Sequence, residues 1–123
     1  MKQPSVLYIE DNPANLKLVT QLLERQSNIK MWSAIEPLLG LELAEEHHPD
    51  LILLDINLPE MDGFEVLKRL KQQASTAQIP VLAISASAMP ADIEKGLKAG
   101  FDDYITKPIN IKKLLISIKD YLS

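Results

Sequence analysis

The stretch Asp50-Leu51-Ile52-Leu53-Leu54-Asp55-Ile56-Asn57 decides how the rest of the chain is read. Residues 51–54 are aliphatic at even and odd positions alike and too few for a helix, which suits a central parallel strand covered on both faces. The run stops at an acid, Asp55. Parallel neighbours need long crossover connections, usually helices, so the flanking sequence has to alternate between strand and helix. Upstream, Val6-Leu7-Tyr8-Ile9 is a short apolar strand that also ends in acids, Glu10 and Asp11. Asn12 and Pro13 then supply a helix cap and a first-turn proline, and Leu16, Val19 and Leu23 recur on one face of a helix reaching about Gln26. Residues 29–34 read as a second strand and 37–47 as a second helix, in which Gly40 weakens the helical pattern.

Downstream, Asn57-Leu58-Pro59-Glu60-Met61-Asp62-Gly63 has the composition of a loop, and Phe64, Val66, Leu67 and Leu70 mark a third helix. Val81-Leu82-Ala83-Ile84 is a fourth strand ending at Ser85; Pro90 and Asp92 open a fourth helix that Gly100 closes. Tyr104-Ile105-Thr106 is a brief fifth strand before Lys107-Pro108, and a fifth helix from about Asn110 carries Ile111, Leu114, Leu115, Ile118 and Leu122 on one stripe. The alternation predicts an α/β fold: a doubly wound five-stranded parallel sheet with helices on both faces and right-handed crossovers. The expected strand order is the flavodoxin-like 2-1-3-4-5, which sets strands 1 and 3 side by side at the switch point.

Composition narrows the function. The 123 residues are enough for one domain, read as 1–123, and 46% hydrophobic with 24% charged residues is an ordinary globular balance, which excludes disorder and membrane insertion. A net charge of -4 has the wrong sign for broad nucleic-acid binding. The absence of cysteine excludes disulfides, thiol nucleophiles and thiolate metal sites, and no long apolar leader follows Met1-Lys2, so a cytoplasmic location is expected.

In open sheets of this kind ligands bind beyond the carboxyl ends of the strands, beside the switch point. That edge gathers Glu10, Asp11, Asp55, Ser85 and Lys107 from distant parts of the sequence. Three carboxylates at one crevice repel one another unless a cation neutralises them. An all-oxygen set selects a hard cation, and an open, hydrated site suits Mg²⁺, with Mn²⁺ as a substitute, better than a Ca²⁺ cage. Lys107 is a point charge for phosphoryl oxygens, Ser85 is a hydrogen-bond donor, and an aspartate beside Mg²⁺ can act as a nucleophile. Together these residues point to phosphoryl transfer to Asp55.

The motifs Tyr8-Ile9-Glu10-Asp11-Asn12-Pro13, Asp50 to Gly63, Ile84-Ser85-Ala86 and Tyr104-Ile105-Thr106-Lys107-Pro108 occur in the order of the response-regulator receiver family, and the chain resembles that family over essentially its whole length. The resemblance implies that Asp55 is the phospho-acceptor, Asp11 a direct Mg²⁺ ligand and Glu10 a ligand acting mainly through water, with the Asn57 backbone carbonyl completing the protein's share. It further implies that Ser85, Ala86 and Lys107 bind the phosphoryl group, that Ser85 and Tyr104 form the switch, and that Pro108 is a cis-proline placing Lys107. Serine at position 85 departs mildly from the threonine the family often has: it keeps the donor and loses a methyl. The implied donor is a histidine kinase or histidine phosphotransfer domain, docking at Ala14, Asn15 and Leu18. The implied output surface comprises the fourth helix, fifth strand and fifth helix, with Tyr104 and an off-stripe Ile116. As a signalling domain, the chain would promote only its own phosphorylation and dephosphorylation.

Other conspicuous residues have plainer readings. His47 and His48 diverge on a helix and are expected at the surface; Trp32 is expected in a buried or edge-strand packing role ahead of a docking one; Met61 and Met89 are expected to pack under loops; and Lys112-Lys113 is a solvated face. Two other functions compete. An aspartate-nucleophile phosphatase of the haloacid-dehalogenase kind needs a second acid two residues beyond the nucleophile, where this chain has Asn57. A flavin carrier needs a first loop that welcomes phosphate, where this chain has Glu10-Asp11. A third reading keeps the receiver fold but uses it purely as an unphosphorylated interaction module, against which the retained acids and Lys107 argue.

Overall fold

The computed structural model describes residues 3–26, 28–58 and 61–122, so Pro59 and Glu60 of the loop motif lie outside the described residues. Strand and helix alternate as β1 (Ser5–Ile9), α1 (Pro13–Gln26), β2 (Lys30–Ala34), α2 (Pro37–His47), β3 (Leu51–Asp55), α3 (Gly63–Gln72), β4 (Val81–Ser85), α4 (Pro90–Ala99), β5 (Asp103–Thr106) and α5 (Ile111–Leu122). All the strand pairings are parallel and the order is β2-β1-β3-β4-β5, so β1 and β3 are neighbours, as expected.

The three central strands are buried at every position, and successive side chains serve opposite layers. Leu7, Ile9, Ile52, Leu54, Val81 and Ala83 pack with Ala44 of α2 and Val66, Leu67 and Leu70 of α3. Val6, Tyr8, Leu51, Leu53, Leu82 and Ile84 pack with Leu16, Val19 and Leu23 of α1 and Leu114, Leu115 and Ile118 of α5. This two-sided demand explains why the strand sequences are continuously apolar. Asn12 caps α1 by accepting from the Asn15 N–H at 3.0 Å, and Asn110 does the same for Lys113 at 3.2 Å ahead of α5.

The boundaries differ from expectation in a way that matters for the site. Strands β3 and β4 include Asp55 and Ser85 as their last residues, so both side chains are aimed by the sheet ladder and not by a loop. Helix α3 starts one residue early because Asp62 caps it, accepting from Glu65 N at 3.0 Å. Gly40, which weakens the helical pattern, lies where α2 crosses β1: a Cβ there would come within 2.5 Å of Ile9 Cδ1. At Gly63 a Cβ would come within 2.7 Å of Ile56 Cα, backbone that cannot swing aside.

Two surface expectations need correction. His47 is half-buried, because its ring stacks on Trp32 with centroids 3.8 Å apart; His48 is exposed. Trp32 itself is half-buried on edge strand β2, with Lys30 Nζ 4.5 Å from its ring centroid. Met89 does not pack under its loop but is 65% exposed, because it precedes the first turn of α4 on the solvent side; Met61 packs against the core as expected. Among the described residues no helix is long and apolar enough to cross a membrane.

Replacing Gly63 with alanine should therefore lower unfolding free energy by about 1–3 kcal/mol, since overpacking against fixed backbone cannot relax through a rotamer. Urea denaturation checks this, and an unchanged midpoint would show that the α3 start can shift freely.

Candidate functional site

The carboxyl edge of the sheet is built from the last residues of adjacent strands. Glu10 follows β1, its N–H donating to Ala34 O at 3.0 Å. Its side chain is fully buried, and it accepts from Asn15 Nδ2 at 2.6 Å, Lys107 Nζ at 3.1 Å and the Tyr8 hydroxyl at 3.3 Å. Asp55 ends β3 next door and is 2% exposed. It accepts from Lys107 Nζ at 3.0 Å and from the Asn57 N–H at 2.9 Å. Asp11 is the exposed member, and one oxygen from each of Glu10, Asp11 and Asp55 lies within 4.8 Å of the others. Two buried carboxyls thus share one ammonium while a third stands over them towards solvent.

The electrostatics follow from that crowding. Burial, then the hydrogen bond and negative charge of Glu10, raise the Asp55 carboxyl to about 6. Burial also opposes ionisation of Glu10, but hydrogen bonds from Asp55, Asn15 and Lys107 outweigh it and hold that carboxyl at about 2. The pair therefore retains a proton most readily on Asp55. Burial works against the charge on Lys107, yet its bonds to Asp55 and Glu10 prevail and raise its pKa. Burial and the adjacent Glu10 keep the Tyr8 phenol protonated well above its ordinary range.

Strands β4 and β5 bring the remaining residues. Ser85 is 2% exposed; its Oγ accepts from the Ser87 N–H at 3.1 Å and lies 3.5 Å from Asn57 Nδ2. Ala86 is exposed just beyond it. Lys107 N–H donates to Ser85 O at 2.8 Å, which ties the two strand ends together, and the Lys107–Pro108 bond is cis. Tyr104 is half-buried with its hydroxyl donating to Ser87 O at 2.9 Å. A cleft of about 210 Å³ lined by Asn57, Phe64, Ser85, Ser87, Lys95 and Tyr104 opens beside Asp55.

The structure thus brings Glu10, Asp11, Asp55 and Lys107 together, while the surface candidates divide. Ala14 and Leu18 are exposed on α1, but Asn15 does not stand clear with them: its amide is turned inward to hold Glu10 and meets Tyr8 Oη at 3.4 Å. Ile116 is exposed on α5. Tyr8 and the inward role of Asn15 escaped the sequence reading. A buried strand tyrosine needs a partner for its hydroxyl, and alternation puts residue 10 on the same side as residue 8, so that signal was present.

Residues 6–119 match the family model described as the response regulator receiver domain. The chain belongs to the receiver-domain family. This receiver is 45% identical over 120 residues to the polar-differentiation response regulator DivK of Brucella ovis, covering 96% of this chain and 95% of that protein. Its fold is similar to the Francisella response regulator 1452 receiver domain, with TM-score 0.88 and 30% identity over 96% of this chain and 95% of that one. It also has the fold of the Vibrio cholerae chemotaxis response regulator CheY4, with TM-score 0.89, 24% identity and coverage of 98% and 99%. The flavodoxin-like architecture and the place of the chain in two-component signalling follow from this membership.

The raised Asp55 carboxyl gives this receiver a pH dependence of defined sign. Stability from that group is present below the ordinary aspartate value and is lost as pH rises through about 6. Glu10 contributes oppositely, losing its share as pH falls towards about 2. With a chelator present, the stability of the native chain relative to Asp55→Asn should fall between about pH 4 and about pH 7 in urea titrations. A flat difference would mean that the two carboxyls do not compete for a proton.

Proposed function

We propose that this receiver takes a phosphoryl group from a phosphohistidine onto Asp55 in a Mg²⁺-dependent reaction and signals by changing shape. The observation that carries the proposal is the placing of Asp55: it is buried at a strand end, shares Lys107 with Glu10, and lies within 4.8 Å of both other acids.

An oxygen-only donor set of three crowded carboxylates is chemically suited to a hard divalent ion. Glu10, Asp11, Asp55 and the Asn57 carbonyl would hold it, and a bound Mg²⁺ would supply Lewis-acid charge for the phosphoryl oxygens. The chain's own residues do the rest. The Asp55 oxygen not held by the Asn57 N–H is the one bonded to Lys107. In line with the donor, an Asp55 oxygen forms the new O–P bond as the P–N bond to the donor imidazole breaks; the electron pair of that bond stays on the imidazole nitrogen, which can take up a proton. Lys107 moves with the charge from carboxylate towards phosphoryl oxygens. Asn15 and Tyr8 keep Glu10 aimed at the site throughout.

After transfer, about two negative charges and three acceptor oxygens stand at a previously neutralised edge. Ser85, whose buried hydroxyl lies 3.5 Å from Asn57 Nδ2, turns towards them, Tyr104 follows, and Ala86 N–H borders the same group. Hydrolysis, with water attacking phosphorus, resets Asp55, and Asn57 beside it tunes the lifetime. This is self-directed chemistry and not turnover of a free substrate. The donor, a histidine kinase or histidine phosphotransfer domain, docks over the exposed Ala14 and Leu18, and the α4–β5–α5 face with Ile116 and Tyr104 meets the effector in the cytoplasm.

Incubation with acetyl phosphate, read by intact mass, should give one phosphoryl adduct that requires Mg²⁺ and is absent in Asp55→Asn. Leu18→Glu should keep that adduct but receive phosphoryl from a phosphohistidine donor at least about tenfold more slowly, the cost of desolvating one charge at a docking surface. An adduct in Asp55→Asn, or one independent of Mg²⁺, would count against the assignment.

A further inference from the structure

Glu10 uses its two oxygens unequally. Oε1 accepts from Asn15 Nδ2 at 2.6 Å, from Lys107 Nζ at 3.1 Å and from the Tyr8 hydroxyl at 3.3 Å. An ionised carboxylate offers about two lone-pair sites on each oxygen, so three donors fill this one. Oε2 is met by the Asn12 N–H at 3.5 Å, beyond ordinary hydrogen-bond length. Two of the donors to Oε1 are fixed in place. Tyr8 is fully buried in β1 among Val6, Leu16 and Leu53, and Asn15 belongs to the first turn of α1, where its own N–H donates to the Asn12 cap. Lys107, on a long flexible stem, can move with the carboxylate, but these two cannot. Asn15 Nδ2 also lies 3.4 Å from Tyr8 Oη, so phenol, amide and carboxylate close a triangle behind the acid.

We infer that Tyr8 and Asn15 are positioning residues that restrict Glu10 to the use of one oxygen and thereby make this edge select Mg²⁺ over Ca²⁺. The inference rests on the reading of the edge as a Mg²⁺ site and adds which cation it disfavours and why. Ca²⁺ gathers about six to eight oxygens and readily takes both oxygens of one carboxylate, whereas Mg²⁺ demands a near-octahedral set and keeps several waters. To serve Ca²⁺ through both oxygens, Glu10 would have to turn Oε1 away from Asn15 and Tyr8. A buried phenol and an inward-facing amide would then lose their acceptor, a cost that the ion has to offset. Mg²⁺, or one of its waters, asks for Oε2 alone and leaves the triangle intact. Tyr8 and Asn15 act through Glu10 and touch neither the ion nor the reacting atoms.

The test is binding of Mn²⁺ to the full chain, followed by electron paramagnetic resonance, with Mg²⁺ or Ca²⁺ added to displace it. The native chain should release Mn²⁺ to Mg²⁺ at lower concentration than to Ca²⁺. In a double variant, Tyr8→Phe with Asn15→Leu, the ratio of the two displacing concentrations should move about tenfold in favour of Ca²⁺, the size of effect that outer partners of a ligand have on metal affinity. Each single variant should move it part of the way, and Tyr8→Phe, which removes a hydroxyl and keeps the ring, provides the measurement if the double variant does not fold. Val19→Ala loosens the same packed layer without touching Glu10 and should leave the ratio where it is. A merely structural role for Tyr8 and Asn15 would weaken both ions equally; an unmoved ratio in the variants, or an equal movement in Val19→Ala, would overturn the inference. A native chain that holds Mn²⁺ but yields it as readily to Ca²⁺ as to Mg²⁺ would overturn the selectivity and leave the metal site standing. A native chain that holds no Mn²⁺ would overturn the metal site and the inference together.

Discussion

The constraint on which the rest depends is the meeting of two buried carboxyls with a single ammonium at the carboxyl edge of the sheet. Glu10 and Asp55 are almost wholly removed from water, and Lys107 bonds both at about hydrogen-bond contact, 3.1 and 3.0 Å. Burial without that cation would drive both groups towards neutrality. With it, the site remains short of positive charge by the amount that a third acid, Asp11, makes worse. The edge is thus held together by Lys107 and held in tension by its own acids, and it gains from any arrival that brings more positive charge.

That tension is possible only because the sheet around it is stiff. Strands β1, β3 and β4 are covered on both faces, so Asp55 and Ser85 leave from ladders that cannot drift, and the Lys107 N–H to Ser85 O bond fixes β5 relative to β4. Glycine makes the layers fit: α2 lies on Ile9 through Gly40, and α3 starts against Ile56 through Gly63. Against this rigid half stands α4, which has one buried residue and leans on Tyr104. A fixed site next to a loosely held helix is the arrangement a switch needs, since a local charge change can then shift one element without disturbing the core.

Much of this was legible in the residues. Continuous apolar runs such as 51–54 announced two-sided burial, and their termination in acids announced an edge where charge collects. The order 2-1-3-4-5 followed from alternation, and with it the meeting of residues 10, 11, 55, 85 and 107. What escaped depended on side-chain direction and not on pattern. Asn15 is spaced like a surface residue of α1, yet its short amide reaches back to Glu10. Asp92 read only as an acid opening the fourth helix, and the turn before that helix is what brings the Ser87 hydroxyl to it. His47 looked exposed by its place near a helix end because periodicity on α2 does not reveal that Trp32 of the edge strand supplies a ring to stack on. Capping by Asp62 was present in the sequence, five residues after Asn57, but was overshadowed by the loop composition around it.

The most direct test of the central claim is a crystal structure of the chain grown with Mg²⁺ and beryllofluoride, which mimics a phosphoryl group on a carboxylate. The account predicts beryllofluoride joined to an Asp55 oxygen, Lys107 Nζ within hydrogen-bond reach of its fluorines, and one ion between Asp11 and Asp55. Beryllofluoride bound elsewhere, or an ion site that draws on none of Glu10, Asp11 and Asp55, would contradict it.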